Sequence, residues 1–353
     1  MDNGITVGLD MGDKQHWICE LDGAGRVVRR AKVANTAAAI RKYFGKLSSC
    51  RIGMEAGTHS RWVSQLLEEL GHEVLVGHPR KLRMIWKSEE KDDNRDAEML
   101  ARIARLDPEL LHPIRHRGEE AQRDLDVIKA REKLVKARTM LIAHVRGVVK
   151  GMGKRITKCS AETFHLRLRE EMPEELEVAL RPMVETIAEL TQRIRGYERE
   201  VNRLCREKYE ETEGLRAIAG VGPITALAFV LTLEESSRFD KSRSVGAFVG
   251  LVPRRDQSGE THKQLRITKA GDGYLRRLLV GSGQYILGHF GPDCELRRFG
   301  LRLAQRGGKN AKKRAVVAVA RKLAVVLHHL WRSGAVYDPF YQENLKRRGN
   351  LAA

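Results

Sequence analysis

"GITVGLD" (residues 4–10) is a β-branched, mostly apolar run that ends on an acid, and it reads as the first strand of a sheet. An acid at the end of a core strand is costly unless a cation or a hydrogen-bond donor meets it. The following segments supply the rest of the sheet. "HWICELDGAGRVVRRAKV" (16–33) holds two strand-like runs split by the turn signal Asp22-Gly23, which predicts a hairpin antiparallel to the first strand. "NTAAAIRKYFGKL" (35–47) starts with an N-cap candidate, Asn35, and keeps helical spacing through Ala39, Ile40 and Phe44. "CRIGMEAG" (50–57) reads as a buried strand with Glu55 at its C-terminal end. "SRWVSQLLEELG" (60–71) is an amphipathic helix closed by Gly71, and "HEVLVGHP" (72–79) is a further strand. Three strands, helix, strand, helix, strand describe an α/β layer with a mixed sheet.

"KSEEKDDNRDAEMLARIARL" (87–106) continues into a helix whose apolar face is Met99, Leu100, Ile103, Ala104 and Leu106. Asp93 and Asp96 are three apart, so on a helix both carboxylates project from one side. Taken singly, each acid reads as a solvated surface charge. Taken together, Asp10 and Glu55 end two strands of one sheet, and Asp93 and Asp96 share the face of a helix that can pack beside it. Four converging carboxylates suit magnesium, a hard cation that prefers oxygen, with manganese as a substitute. Paired metals of this kind stabilise both attacking and leaving oxygens in phosphoryl transfer.

The middle of the chain is helical. Val127, Ala130, Leu134, Ala137, Leu141 and Val148 keep a 3-4 rhythm, with His144 in its one gap. Leu180, Met183, Ile187, Leu190, Ile194, Tyr197, Val201 and Leu204 keep another. Two heptad-like helices separated by "GMGKRITKCSAETF" (151–164) predict an antiparallel pair or a dimerising coiled coil. Beyond them, Gly220-Val221-Gly222 precedes a helix, a turn where backbone N–H groups can hold a phosphate.

The charge balance agrees with that reading. The 353-residue chain carries a formal net charge of +19, but residues 241–353 hold 23 basic and 7 acidic side chains against 42 and 39 in residues 1–240. A cationic last third implies a polyanionic partner. The segment is short of aromatics and has no clean basic amphipathic anchor, which argues against a membrane surface. No run of about 18 apolar residues and no signal-type N-terminus is present, so a reducing cytoplasm is expected. Five scattered cysteines (Cys19, Cys50, Cys159, Cys205 and Cys294) make no metal or disulfide pattern and fit that compartment.

Within the basic third, "LVPRRDQSGETHKQLRITKAGDGYLRRLL" (251–279) surrounds Ser258 with Arg254, Arg255, Lys263, Arg266, Lys269, Arg276 and Arg277. The residues alone allow two readings. In one, Ser258 starts a turn in a loop that touches nucleic acid; in the other, it attacks a phosphate.

The pattern resembles the DEDD transposases of bacterial insertion sequences, a family with bridge-RNA-guided members. The resemblance is carried by "GLDMGDKQH" around Asp10, "GMEAGTHSRW" around Glu55, "KDDNRDAE" with Asp93 and Asp96, "GVGPITA", and "FVGLVPRRDQSGETHKQLRITKAGDGYLRRLL". It spans nearly the whole chain. It implies an α/β plus α chain: a RuvC/RNase H-like mixed sheet in residues 1–112, a helical coiled-coil spacer in 113–212, and a mainly helical basic transposase domain in 213–353. It also implies that Asp10, Glu55, Asp93 and Asp96 bind magnesium, and that Ser258 forms a covalent 5′-phosphoserine link with cut DNA. The family's third acid falls on Asp93 or on its neighbour Asp92. Arg254, Arg255, Lys263 and Arg266 are expected to clamp phosphates, with Lys269, Arg276, Arg277, Gly220 and Gly222 adding nucleic-acid contacts. The implied partners are element and target DNA, a non-coding guide RNA from the element's flanks, and further copies of the chain in a homodimer or homotetramer. The implied setting is the nucleoid of a prokaryotic cytoplasm.

Three other readings compete. A junction-resolvase-like nuclease would use the same acids, leave free ends and not need Ser258. An actin-like ATPase would need a second acidic phosphate loop, and "LDGAG" (21–25) comes too early for it. An inert nucleic-acid-binding protein would have no use for four acids and a serine.

Overall fold

β1 (Thr6–Met11) is the central strand of a five-stranded sheet in the computed structural model, which describes residues 4–82, 92–258 and 261–345. The chain divides into two compact units, one ending at His116 and the other starting at Arg117.

In the first unit, β2 (Gln15–Leu21) and β3 (Val27–Ala34) form the expected hairpin, and β2 runs antiparallel to β1. The Asp22 carboxylate closes the turn by accepting from the backbone N–H of Ala24 and of Arg26, each at 2.9 Å. β4 (Arg51–Glu55) and β5 (Glu73–Gly77) add in parallel on the other side, giving the order β3-β2-β1-β4-β5. This is the mixed sheet that the strand pattern predicts. α1 (Ala37–Phe44) and α2 (Ser60–Glu69) cover one face, where Val7, Leu9, Ile18, Ile52 and Met54 pack against Ile40, Phe44, Val63 and Leu67. Thr36, not Asn35, caps α1, accepting from Ala39 N–H at 3.3 Å. Asn35 is used one residue earlier: its amide donates to the carbonyls of Gly12 and Asp13 and ties down the β1–β2 turn.

α3 (Asp93–Leu106) covers the opposite face. Its buried side is Ala97, Leu100, Ala101, Ile103 and Ala104, whereas Met99 and Leu106 of the expected apolar face are 36% and 74% exposed. The face is built for closeness rather than for bulk. A Cβ on Gly8 would lie 1.8 Å from the Ala97 carbonyl oxygen, and one on Gly53 would lie 2.9 Å from that of Leu100.

In the second unit, α4 (Glu119–Gly151) and α6 (Glu177–Glu207) lie antiparallel, with α5 (Phe164–Glu170) between them in the chain. Arg131 pairs with Glu198, and Arg138 donates to the Thr191 hydroxyl at 3.2 Å. The predicted helical pair is therefore formed within one chain. Its buried rows differ from the expected ones. On α4 the fully buried positions are Leu125, Ile128, Arg138, Ile142, Val145 and Val149, and the predicted Val127, Ala130, Leu134, Ala137, Leu141 and Val148 are half-buried. On α6, Val184 and Thr191 replace Met183 and Leu190. Arg138 donates to Thr191 across the seam, and a polar pair at core positions hides the true phase from an apolar count.

α7 (Glu211–Arg216) and α8 (Pro223–Leu233) follow. α8 is apolar all round and buried along most of its length, as a central core helix should be. α9 (Val245–Phe248) leads into a two-stranded ribbon, β6 (Pro253–Ser258) with β7 (Thr261–Ile267). Then come α10 (Gly273–Leu287), α11 (Glu295–Gln305) and α12 (Ala311–Ser333). Leu125 and Ile128 of α4 and Val201 and Leu204 of α6 share one core with α8, α10 and α12. Among the described residues, no helix is long and apolar enough to cross a membrane.

Candidate active site

Leu9 of β1 pairs with Met54 of β4, and Gly8 pairs with Gly53. Side chains alternate along a strand, so Asp10 and Glu55, each two residues past a glycine, project to the same face as Gly8 and Gly53. That is the α3 face. The glycines bring the helix backbone down onto the strands, and the first turn of α3 then meets the strand ends. Asp93 and Asp96 both lie in that turn.

One carboxylate oxygen from each of Asp10, Asp93 and Asp96 lies within 4.8 Å of the others, and all three residues are half-buried. Glu55 senses the same charges: burial first, then Asp10 and Asp96, push its carboxyl up to about 7. Acids packed this closely repel one another, and a cation relieves that repulsion. The donors are all carboxylate oxygens, so the cluster suits a hard divalent cation rather than a thiophilic one. Asp92 and Asp93 have different places. The Asp92 carboxylate caps α3 by accepting from Asn94 N–H at 3.0 Å, while Asp93 joins the cluster.

The second unit carries the other candidate residues. Ser258 ends β6 and pairs with Thr261 at the start of β7; Arg255 pairs with Gln264 and Asp256 with Lys263. The side chains of Arg255, Ser258 and Lys263 lie outside the described residues. Arg254, Arg266 and Lys269 are exposed. Arg276 is used internally, donating to the carbonyls of Val249 at 3.0 Å and Ala270 at 2.6 Å, and so fastens the end of the ribbon to α10. Arg277 pairs with Glu132 and lies over the Tyr274 ring at 5.5 Å. Gly222 is the N-cap of α8 and opens on free space. Gly220 has φ +89° and faces inward, where a Cβ would lie 2.8 Å from Tyr285.

Gly8 and Gly53 have a part in this site that residue chemistry alone does not announce. Their signal is a repeated spacing: "GLD" and "GME" both place a glycine two residues before an acid at a strand end.

Comparison with known proteins agrees in order and extent. A family model for DEDD transposases of the IS110 type, described as "Transposase", matches residues 7–153. A second, described as "Transposase IS116/IS110/IS902 family", matches residues 212–294. The chain is 28% identical over 344 residues to a "Probable family 20 transposase" of Pseudomonas aeruginosa, covering 96% of this chain and 99% of that protein. It is 29% identical over 334 residues to the "Transposase for insertion sequence element IS1111A" of Coxiella burnetii, covering 91% and 88%. A "Pilin gene-inverting protein" of Moraxella lacunata is 29% identical over 125 residues, covering 35% of this chain and 38% of that protein.

Proposed function

Since the chain belongs to the IS110 family of DEDD transposases, we propose that it recombines the DNA of a mobile element by pairing an acidic metal centre with a serine nucleophile. The observation that carries this reading is the convergence of Asp10, Asp93 and Asp96, with Glu55 held in the field of Asp10 and Asp96. Their geometry supports an RNase H-like catalytic sheet whose four acids would hold magnesium. Bound there, the metal would supply positive charge to the attacking and leaving oxygens of a phosphodiester.

The serine chemistry is argued from family resemblance. The Ser258 hydroxyl oxygen forms a bond to phosphorus as the bond from phosphorus to the 3′ oxygen breaks. The proton given up by serine ends on the departing 3′-hydroxyl. Attack by a new 3′-hydroxyl reverses the step, restores a phosphodiester and frees the serine, so no ATP is consumed. Arg254, Arg255, Lys263, Arg266 and Lys269 would hold the phosphates, with Gly222 presenting the open start of α8 beside them. The internal bonds of Arg276 and Arg277 favour a supporting part for that pair.

In this reading residues 1–112 cut, 113–212 space and assemble, and 213–353 supply the nucleophile, with acids and serine shared between copies in a dimer or tetramer. A guide RNA from the element's flanks would choose the target by base pairing, and the reaction would take place at the nucleoid of a bacterial cytoplasm.

The test is a denaturation-resistant protein–DNA adduct assay in cells carrying the whole element with its non-coding flanks. Wild type should form an adduct, and Ser258→Ala and Asp10→Ala should not. Cutting that survives Ser258→Ala but is lost in Asp10→Ala would instead identify a metal nuclease that makes no covalent link.

A further inference from the structure

The row of the sheet that holds Asp10 continues across two more strands. Asp10 of β1 pairs with Trp17 of β2, and Trp17 pairs with Lys32 of β3. Paired residues on neighbouring strands share a face, so Asp10, Trp17 and Lys32 all lie on the α3 side. The row before it, Gly8, Cys19 and Arg30, lies under the body of α3, where Arg30 pairs with Glu98 of the helix. The Asp10 row is therefore level with the start of the helix, where the acids meet.

The Lys32 ammonium lies 5.5 Å from the centre of the Trp17 ring. The ring is itself held. It packs with Cys19, Leu21, Ala97 and Ala101, and the β1–β2 turn closes on it at Gly12, where a Cβ would come within 2.8 Å of the ring edge. A cation over an indole face gains from the ring quadrupole and keeps its charge available to a second partner. The neighbouring cations are occupied otherwise: Arg26 pairs with Asp22, Arg30 with Glu98, and Arg29 lies over Tyr43 at 5.0 Å. Among the described residues, Lys32 has no carboxylate within ion-pair distance.

We propose that Lys32, positioned by Trp17, binds a backbone phosphate of the DNA strand that is cut at Asp10. Two strand spacings separate Lys32 from Asp10, roughly 10 Å between backbones, and the lysine stem closes part of that distance. The cation therefore suits a phosphate beside the one being cut rather than that phosphate itself. The inference rests on reading the acids as the cutting site and adds a fixed register for the strand that enters it.

The experiment uses the full-length chain and a fluorescein-labelled duplex of the element's end, with calcium in place of magnesium so that binding is read without cutting. Affinity is measured by anisotropy across a salt series, and calcium uptake by calorimetry. Lys32→Ala should weaken duplex binding about fivefold and lower the salt slope by about one, the mark of one lost phosphate contact. Lys32→Arg should restore both, and calcium uptake should stay unchanged. Trp17→Leu should lose as much as Lys32→Ala, with no further loss in the double variant. Wild-type affinity and slope in Lys32→Ala would overturn the assignment. Unchanged calcium uptake in Asp10→Asn would overturn the acid-site reading, and this inference with it.

Discussion

Gly8 and Gly53 are partners on adjacent parallel strands, and neither has room for a single added carbon beneath α3. The acids two residues beyond them owe their convergence to that approach. Gly8→Ala should therefore lower stability by about 3 kcal/mol, the upper part of the usual range for overpacking, because its Cβ meets a backbone oxygen. Metal affinity should fall about 10- to 100-fold although every carboxylate remains. Urea unfolding with calorimetric metal titration checks both outcomes. Unchanged metal affinity in a folded Gly8→Ala protein would show that the close approach does not set the site.

Glu55 gives the metal-free protein a pH signature. Its carboxyl titrates at about 7 in the fold against 4.5 unperturbed, chiefly through burial, with Asp10 and Asp96 adding to it. A raised folded value means that the native state holds a proton which the unfolded chain releases earlier. The associated stability is complete below about pH 4.5 and is lost as pH rises through about 7. Thermal midpoints of metal-free protein should fall across that window, and Glu55→Gln should flatten the fall. A divalent cation bound there would displace the same proton, so its affinity should climb with pH up to about 7 and then level off.

Asp92 and Asp93 separate by what is lost. Asp92→Ala removes a helix cap and should cost about 1 kcal/mol while leaving metal uptake intact. Asp93→Asn keeps the cap and should abolish or greatly weaken metal uptake. The reverse pattern in calorimetry would move the third acid to Asp92.

The strand order and the gathering of Asp10, Asp93 and Asp96 were legible because both rest on local signals: β-branched runs, turn residues, and charges at strand and helix ends. The choice between Asp92 and Asp93 was not, since two adjacent acids at a helix start differ only in which one turns back to cap. The phase of the helical pair was hidden by Arg138 and Thr191: the guanidinium donates to the hydroxyl, and polar side chains so occupy the buried row. Arg276 counted as one more cation in a basic stretch, and only the path of the backbone supplies the Val249 and Ala270 carbonyls that engage it. For Gly220, the sequence signals a tight turn, but the packing against Tyr285 depends on a helix more than fifty residues further on.

The division of the chain into two compact units, with all four acids in the first, also orders events in time. Asp96 precedes Ser258 by about 160 residues, and ribosomes add residues slowly enough that roughly ten to thirty seconds separate their synthesis. The acids are thus all made well before the serine, and a nascent chain can gather its carboxylates while it still lacks the residue proposed to hold cut DNA.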